Sequence, residues 1–100
     1  MRIRVSPQGR ADLDSIWLYL ARESGNTDIA TRTVGSIADK FGLLAKFPHI
    51  GKGLESEMRP NVRTFPVGLF IIFYSVTSAE IRVLRIIHAS RDARALFADE

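Results

Sequence analysis

The chain has no cysteine among its 100 residues. This absence excludes disulfide bonds and thiolate metal sites, and it fits a protein kept in a reducing compartment. No stretch approaches the ~20 apolar residues that a membrane-spanning helix needs. The segment from Met1 to Val5 has no long apolar run behind a basic region, so no secretory signal is expected. We therefore expect a soluble, cytoplasmic protein.

Signatures of phosphate and metal binding are also missing. The sequence Gly51-Lys52-Gly53 is too short for a phosphate-binding loop and follows a predicted helix. The two histidines, His49 and His88, lie far apart, and no paired carboxylates occur at ligand spacing. We expect neither a metal ion nor another cofactor.

The C-terminal part of the chain lacks lysine but not positive charge. No lysine follows Lys52, whereas residues 59–94 contain six arginines against two acids, Glu80 and Asp92. Arginine forms fixed, multidentate contacts with carboxylates and phosphates more readily than lysine does. The pattern indicates a surface for an acidic partner. The alternative, that each arginine is a solvated strand end, stays open for any single residue.

The order of predicted elements defines the fold class. One hundred residues form one domain, here residues 1–100. A short strand at residues 2–5 precedes a helix opened by Ser6-Pro7 and ended by Ser24-Gly25-Asn26, and a second helix covers residues 27–47. Three strands follow, the middle one apolar from Leu69 to Val76 after a turn at residues 66–68, and a short helix at residues 91–97 closes the chain. The class is α+β, in the order β-α-α-β-β-β with a short C-terminal helix, and the helical hairpin lies on one face of the sheet.

The second helix contains two glycines on one side, Gly35 and Gly42, in a stripe of small residues with Ala38 and Ala45. Glycine in a helix interior costs about 1 kcal/mol relative to alanine, which calls for a packing reason. We expect the first helix to lie close against this stripe, so that leucine at either glycine would lower the melting temperature sharply.

Several side chains have two interpretations. His88 ends the last strand among arginines, where it could act as a general acid or base on an RNA 2′-hydroxyl. We favour the alternative, a hydrogen-bonded residue that holds the turn into the last helix, because no second catalytic partner is evident from the spacing. Trp17 and Tyr74 are large rings that could anchor a partner, or belong to the core. Asp92 could stabilise the last helix or pair with an arginine.

Taken together, the motifs resemble the ParE branch of the RelE/ParE toxin superfamily over essentially the whole chain. The segments that carry the resemblance are Ser6-Pro7, Ala11-Asp12-Leu13, Ile16-Trp17-x-Tyr19, Phe47-Pro48-x-Ile50-Gly51, Arg63 before Phe65-Pro66-Val67-Gly68, Ile72-Phe73-Tyr74, and Leu84-Arg85-Ile86-Ile87-His88-x-x-Arg91-Asp92.

The resemblance implies the toxin of a type II toxin–antitoxin pair, with a small antiparallel sheet under a helical hairpin. It implies inhibition of DNA gyrase and hence of replication. It also implies neutralisation by a ParD-like antitoxin, whose disordered tail folds over the toxin. Operator DNA would be bound only indirectly, through the antitoxin complex. A basic sheet with apolar rows suits an acidic amphipathic tail that orders on binding.

Site residues follow from the resemblance and the charge pattern. For antitoxin binding we predict Arg63, Arg82, Arg85, Tyr74 and Trp17. For target binding the family suggests the C-terminal region, which here offers His88, Arg91, Arg94 and Phe97.

An enzyme is the alternative. A ribosome-dependent messenger ribonuclease of the RelE type would use His88, Arg63 and Arg85. The lysine-rich centre of that type is absent, and Tyr74 lies in the central strand rather than near the C-terminus, where this chain has Phe97. We therefore expect a protein-binding inhibitor without catalytic residues.

Overall fold

A computed structural model describes residues 1–54 and 61–90. In this part of the chain, two helices pack on one face of a five-stranded sheet, which confirms the α+β class. The elements are β1 (Arg2–Val5), α1 (Pro7–Ser24), α2 (Thr27–Lys46), β2 (Lys52–Gly53), β3 (Val62–Val67), β4 (Phe70–Val76) and β5 (Glu80–His88). None of the helices described is long and apolar enough to cross a membrane. The predicted closing helix at residues 91–97, with Asp92, lies outside the described residues.

The sheet differs from the expected one in two respects. Its strand order is β1-β5-β4-β3-β2, with β1 parallel to β5 and the other pairs antiparallel, so the sheet is mixed. β5 pairs with β4 on one side and with β1 on the other. This places the partly buried Ile3 and Val5 of β1 against the core. The additional strand β2 pairs Lys52 with Thr64 and Gly53 with Arg63.

The helix boundaries follow from local capping. The Ser6 side chain accepts a hydrogen bond from the Gly9 amide at 2.9 Å and donates one to the Leu84 carbonyl at 2.8 Å. Gly25 ends α1 with a left-handed φ of 65°, and the Asn26 side chain accepts from the Asp28 amide at 2.8 Å to begin α2. The predicted helix starts and the stop of α1 are thus confirmed.

The main core lies between the sheet and the apolar stripe of α2. Ile37, Phe41 and Leu44 of that stripe pack against Ile72 and Tyr74 of the central strand. Half-buried Leu13 and Ile16 add the inner face of α1 to this cluster. The half-buried Trp17 links the two helices, because its indole Nε1 donates to Thr31 Oγ1 at 3.1 Å.

The predicted role of the small stripe in α2 is wrong. A Cβ built on Gly35 or Gly42 meets no atom within 4 Å, and Ala38 and Gly42 are exposed. Trp17 of α1 reaches Thr31 of α2, and nothing lies close enough to Gly35 or Gly42 to require a glycine there.

The predicted turn at residues 66–68 is displaced toward the C-terminus. Pro66 and Val67 belong to β3, and the chain reverses at Gly68 and Leu69. Gly68 has φ 58°, a left-handed conformation that glycine adopts without strain.

Candidate functional site

A groove of about 460 Å³ opens between α1 and the C-terminal end of β5. Its walls carry the apolar side chains Ile16, Tyr19 and Phe70, and its polar groups include Asp12, Arg85 and His88. Tyr19 is 62% exposed, so most of its ring is available to a partner. The groove therefore combines exposed apolar surface with charge, as protein-binding sites do.

Arg85 forms a bidentate ion pair with Asp12 in the groove. Its Nε and Nη2 atoms lie 2.8 Å and 3.1 Å from the two carboxylate oxygens, and the Ile86 amide also donates to Asp12 Oδ2 at 2.9 Å. The pairing of β1 with β5 ends at Val5 and Val83, so the Ile86 amide has no partner in β1. Asp12 of α1 accepts its hydrogen bond instead. Arg85 thus fastens α1 to the sheet.

The register of the central strands is irregular beside Arg85. Phe73 pairs with Arg85 but Tyr74 pairs with Val83, which leaves Leu84 without a partner in β4. Such a bulge redirects the side chains that follow it.

His88 has the contacts of a residue that holds a turn. Its Nδ1 accepts a hydrogen bond from the Ser90 amide at 3.1 Å and lies 2.7 Å from Ser90 Oγ. Its ring packs edge-on against Phe70, with the centroids 5.4 Å apart. These contacts match the structural alternative for His88.

Arg63 and Tyr74 fix the loop between α2 and β2. The Tyr74 hydroxyl donates to the Pro48 carbonyl at 2.9 Å and accepts from the Gly51 amide at 3.0 Å. Arg63 donates through Nε to the Gly51 carbonyl at 3.0 Å and through Nη2 to the His49 carbonyl at 3.2 Å. Burial raises the pKa of Tyr74 above its ordinary value of 10.0, although the hydrogen bond with Gly51 and the Arg63 charge act in the opposite direction.

Tyr74 is therefore a core residue. Its side chain is 0% exposed, so it offers no surface to an antitoxin, and the prediction that it binds one is wrong for this structure.

Arg82 lies on the solvent side of the sheet. It is exposed and stands in register with Arg4 of β1 on one side and Ser75 of β4 on the other. Arg4 is 3.7 Å from Glu80 in an exposed ion pair, a contact that contributes little. The Arg82 side chain is thus accessible to a binding partner.

The structure does not bring the alternative catalytic residues together. Arg63 pairs with Tyr74 of β4, whereas His88 pairs with Phe70 of the same strand. Tyr74 and Phe70 are four residues apart, so Arg63 and His88 are separated by about 14 Å along the strand direction. Arg85 is engaged by Asp12. No three His, Asp or Glu side chains among residues 1–54 and 61–90 are grouped so that they could hold a metal ion. Arg91, Arg94 and Phe97 lie outside the described residues.

Three residues of the groove escape prediction from the sequence. Asp12 reads as one of several acids on a helix, and its partner is 73 residues away. Phe70 reads as an ordinary apolar position of the central strand. The sequence does carry a signal for Tyr19, because helical spacing places it off the apolar face formed by Leu13, Ile16 and Leu20.

Comparison with known proteins defines the class. Residues 3–93 match the family model of the ParE toxin of the type II toxin–antitoxin system parDE. The chain belongs to this family.

Individual relatives agree with this assignment. Toxin ParE1 of Caulobacter vibrioides is 29% identical over 92% of this chain and 93% of its own length. Toxin ParE3 of the same organism is 29% identical over 85% and 82%, respectively. A solved chromosomal ParDE system from P. aeruginosa superposes with a TM-score of 0.77 and 28% identity, covering 90% of this chain and 97% of the other. The toxin–antitoxin complex RelBE2 from Mycobacterium tuberculosis shares the fold, with a TM-score of 0.67 at 20% identity over 87% and 95% of the chains.

Proposed function

We propose that this toxin inhibits DNA gyrase by binding it, blocks replication in this way, and breaks no bond itself. The observation that supports a non-enzymatic mode of action is the placement of the basic residues. The arginine and histidine of an enzymatic mechanism stand at opposite ends of the sheet, and Arg85 is neutralised by Asp12. Family membership supports the same conclusion, because the chain matches ParE toxins along nearly all of its length.

A ParD-like antitoxin neutralises the toxin in this proposal. Its tail is acidic and amphipathic and orders on binding, and it occupies the groove beside α1, where Tyr19 and Phe70 offer apolar contacts. Arg82 meets its carboxylates on the open side of the sheet, and Trp17 borders the contact on α1. Arg63 donates to backbone carbonyls and so keeps its positive charge, which attracts the acidic tail, whereas Arg85 borders the contact with its charge already paired with Asp12. Operator DNA is bound only indirectly, through the complex, which acts in the cytoplasm.

The test uses two reactions in parallel. Purified toxin is added to a gyrase supercoiling reaction and, separately, to ribosomes translating a defined messenger, each with and without the antitoxin. We expect supercoiling to fall with toxin concentration and to recover with antitoxin, while the messenger stays intact. Cleavage of the messenger with unaffected supercoiling would replace the proposal by the ribonuclease alternative.

A His88→Ala variant sharpens the test. His88 holds a turn and is one of several side chains that line the groove, so this variant should weaken antitoxin binding only modestly and retain most gyrase inhibition. Complete loss of toxicity in a folded variant that still binds antitoxin would favour the enzyme.

A further inference from the structure

The loop between α2 and β2 exposes two large apolar side chains. Phe47 is 57% exposed and Ile50 is 48% exposed, and the Ile50 amide donates to the Phe47 carbonyl at 3.0 Å. The two residues thus sit on one tight turn. Neither belongs to the groove beside α1.

This loop is held more firmly than an exposed connection requires. The Tyr74 hydroxyl accepts one hydrogen bond from the Gly51 amide and donates one to the Pro48 carbonyl, and the Arg63 guanidinium donates two more, so the backbone from Pro48 to Gly51 is fixed. Tyr74 is fully buried, so the loop is anchored to the centre of the sheet. A turn ordered in advance lowers the entropy lost when its side chains bind a partner.

The charged side chains within the loop segment itself, residues 46–54, are positive. Lys46 and Lys52 flank the loop and are exposed, and no acidic residue occurs from residue 46 to residue 54. A partner surface with an apolar centre and an acidic rim complements this arrangement.

Shape distinguishes the loop from the groove. A disordered tail brings its own side chains and needs a concave surface, which the groove beside α1 provides. A rigid turn with protruding side chains fits a pocket that already exists on a folded protein.

We propose that Phe47 and Ile50 insert into an apolar, acid-rimmed pocket of the folded target protein, and that this contact is separate from the one with the antitoxin. The proposal rests on the proposed function, in which the toxin acts by binding a target.

The test compares Phe47→Ser, Ile50→Ser and the double variant with Ile29→Ser. Ile29 is 39% exposed in the first turn of α2, and 18 residues of helix, about 27 Å, separate it from Phe47, which makes it a matched control. Growth arrest on induction, gyrase inhibition, antitoxin affinity and the melting temperature are measured for each. We expect the double variant to need at least about tenfold more protein for inhibition, as loss of interface anchors does, with antitoxin affinity and melting temperature close to those of wild type.

A Tyr74→Phe variant distinguishes the contribution of the two apolar side chains from that of the rigidity of the loop. It keeps Phe47 and Ile50 but removes two of the hydrogen bonds that fix the loop. We expect inhibition weaker than that of wild type and stronger than that of the double serine variant.

The possible outcomes distinguish the proposed loop contact from the proposed function. Full growth arrest by the double variant would overturn the proposal, and so would a loss of antitoxin affinity equal to the loss of inhibition, which would assign the loop to the antitoxin. If wild type arrests growth without inhibiting gyrase, the proposed function fails, whereas the loop is still judged by growth arrest. Absence of growth arrest by wild type would overturn both.

Discussion

The Tyr74 hydroxyl accepts the amide hydrogen of Gly51 at 3.0 Å, and at that contact Gly51 has no room for a side chain. A Cβ on Gly51 would lie 2.6 Å from the Thr64 carbonyl oxygen and closer still to the Tyr74 hydroxyl. Both neighbours are fixed, one in the backbone of β3 and the other in the core. Glycine is therefore required at residue 51 by space rather than by backbone conformation.

Gly51→Ala should lower the free energy of unfolding by about 2 kcal/mol, the usual effect of forcing extra atoms into a packed site. Urea denaturation followed by circular dichroism measures the change. Gly53→Ala is the control, because the nearest atom to its Cβ is Arg63 Nη1 at 3.9 Å, an ordinary contact. An equal loss in both variants would show that strand β2, and not the crowding at Tyr74, is responsible.

Tyr74→Phe should cost about 1–3 kcal/mol of unfolding free energy at neutral pH, because it leaves the Gly51 amide and the Pro48 carbonyl without their partner. Tyr19→Phe is the matched control, since that ring is 62% exposed and donates no hydrogen bond among the described contacts. A neutral effect of Tyr74→Phe would contradict the anchoring of the loop.

Stability in alkaline solution should depend on the same hydroxyl. Burial raises the pKa of Tyr74 above 10.0, so the native state holds this proton more tightly than the unfolded state does. The corresponding stabilisation is complete below the unfolded pKa and is lost as pH rises through the folded pKa. Wild type should therefore lose more stability above about pH 10 than Tyr74→Phe, which cannot titrate. Unfolding curves collected across that range would contradict this if the two proteins declined in parallel.

Asp12→Ala should destabilise the protein by about 2 kcal/mol, because it removes a carboxylate that binds Arg85 and the Ile86 amide from a partly buried position. Asp14→Ala, an exposed change two residues further along α1, should stay within about 0.5 kcal/mol of wild type. Denaturant midpoints with unchanged slopes provide the comparison. Equal effects of the two substitutions would show that the Asp12–Arg85 pair contributes nothing specific.

Gly42→Ala should raise the free energy of unfolding by up to about 1 kcal/mol, because alanine is the better helix former and its Cβ meets open space. Thermal unfolding measures this gain. A marked loss of stability would instead support the prediction that α1 packs closely against the stripe of small residues.

Local signals account for the parts of the fold that the sequence predicts correctly. Ser6 with Pro7, and Gly25 with Asn26, act on neighbouring amides, so the ends of α1 and the start of α2 can be read without knowing the rest of the chain. The parallel pairing of β1 with β5 and the short strand β2 depend on contacts distant in sequence, which no local pattern specifies.

The candidate site was predicted less well for the same reason. The partners of the Tyr74 hydroxyl are 23 and 26 residues away, so the sequence alone does not decide between a partner anchor and a core residue. The stripe containing Gly35 and Gly42 was misleading because spacing shows which residues share a face of a helix, but not what that face contacts. Among the arginines predicted to bind the antitoxin, Arg82 is exposed, and it pairs in register with Arg4 of β1.

The most direct test of a toxin that acts by binding is the kind of damage it causes in cells. Induction of the wild-type chain without antitoxin should produce breaks in chromosomal DNA and filamentous cells, while sequencing of RNA 5′ ends shows no new cuts within translated messengers. New cuts in messengers on ribosomes, with intact DNA, would contradict the account.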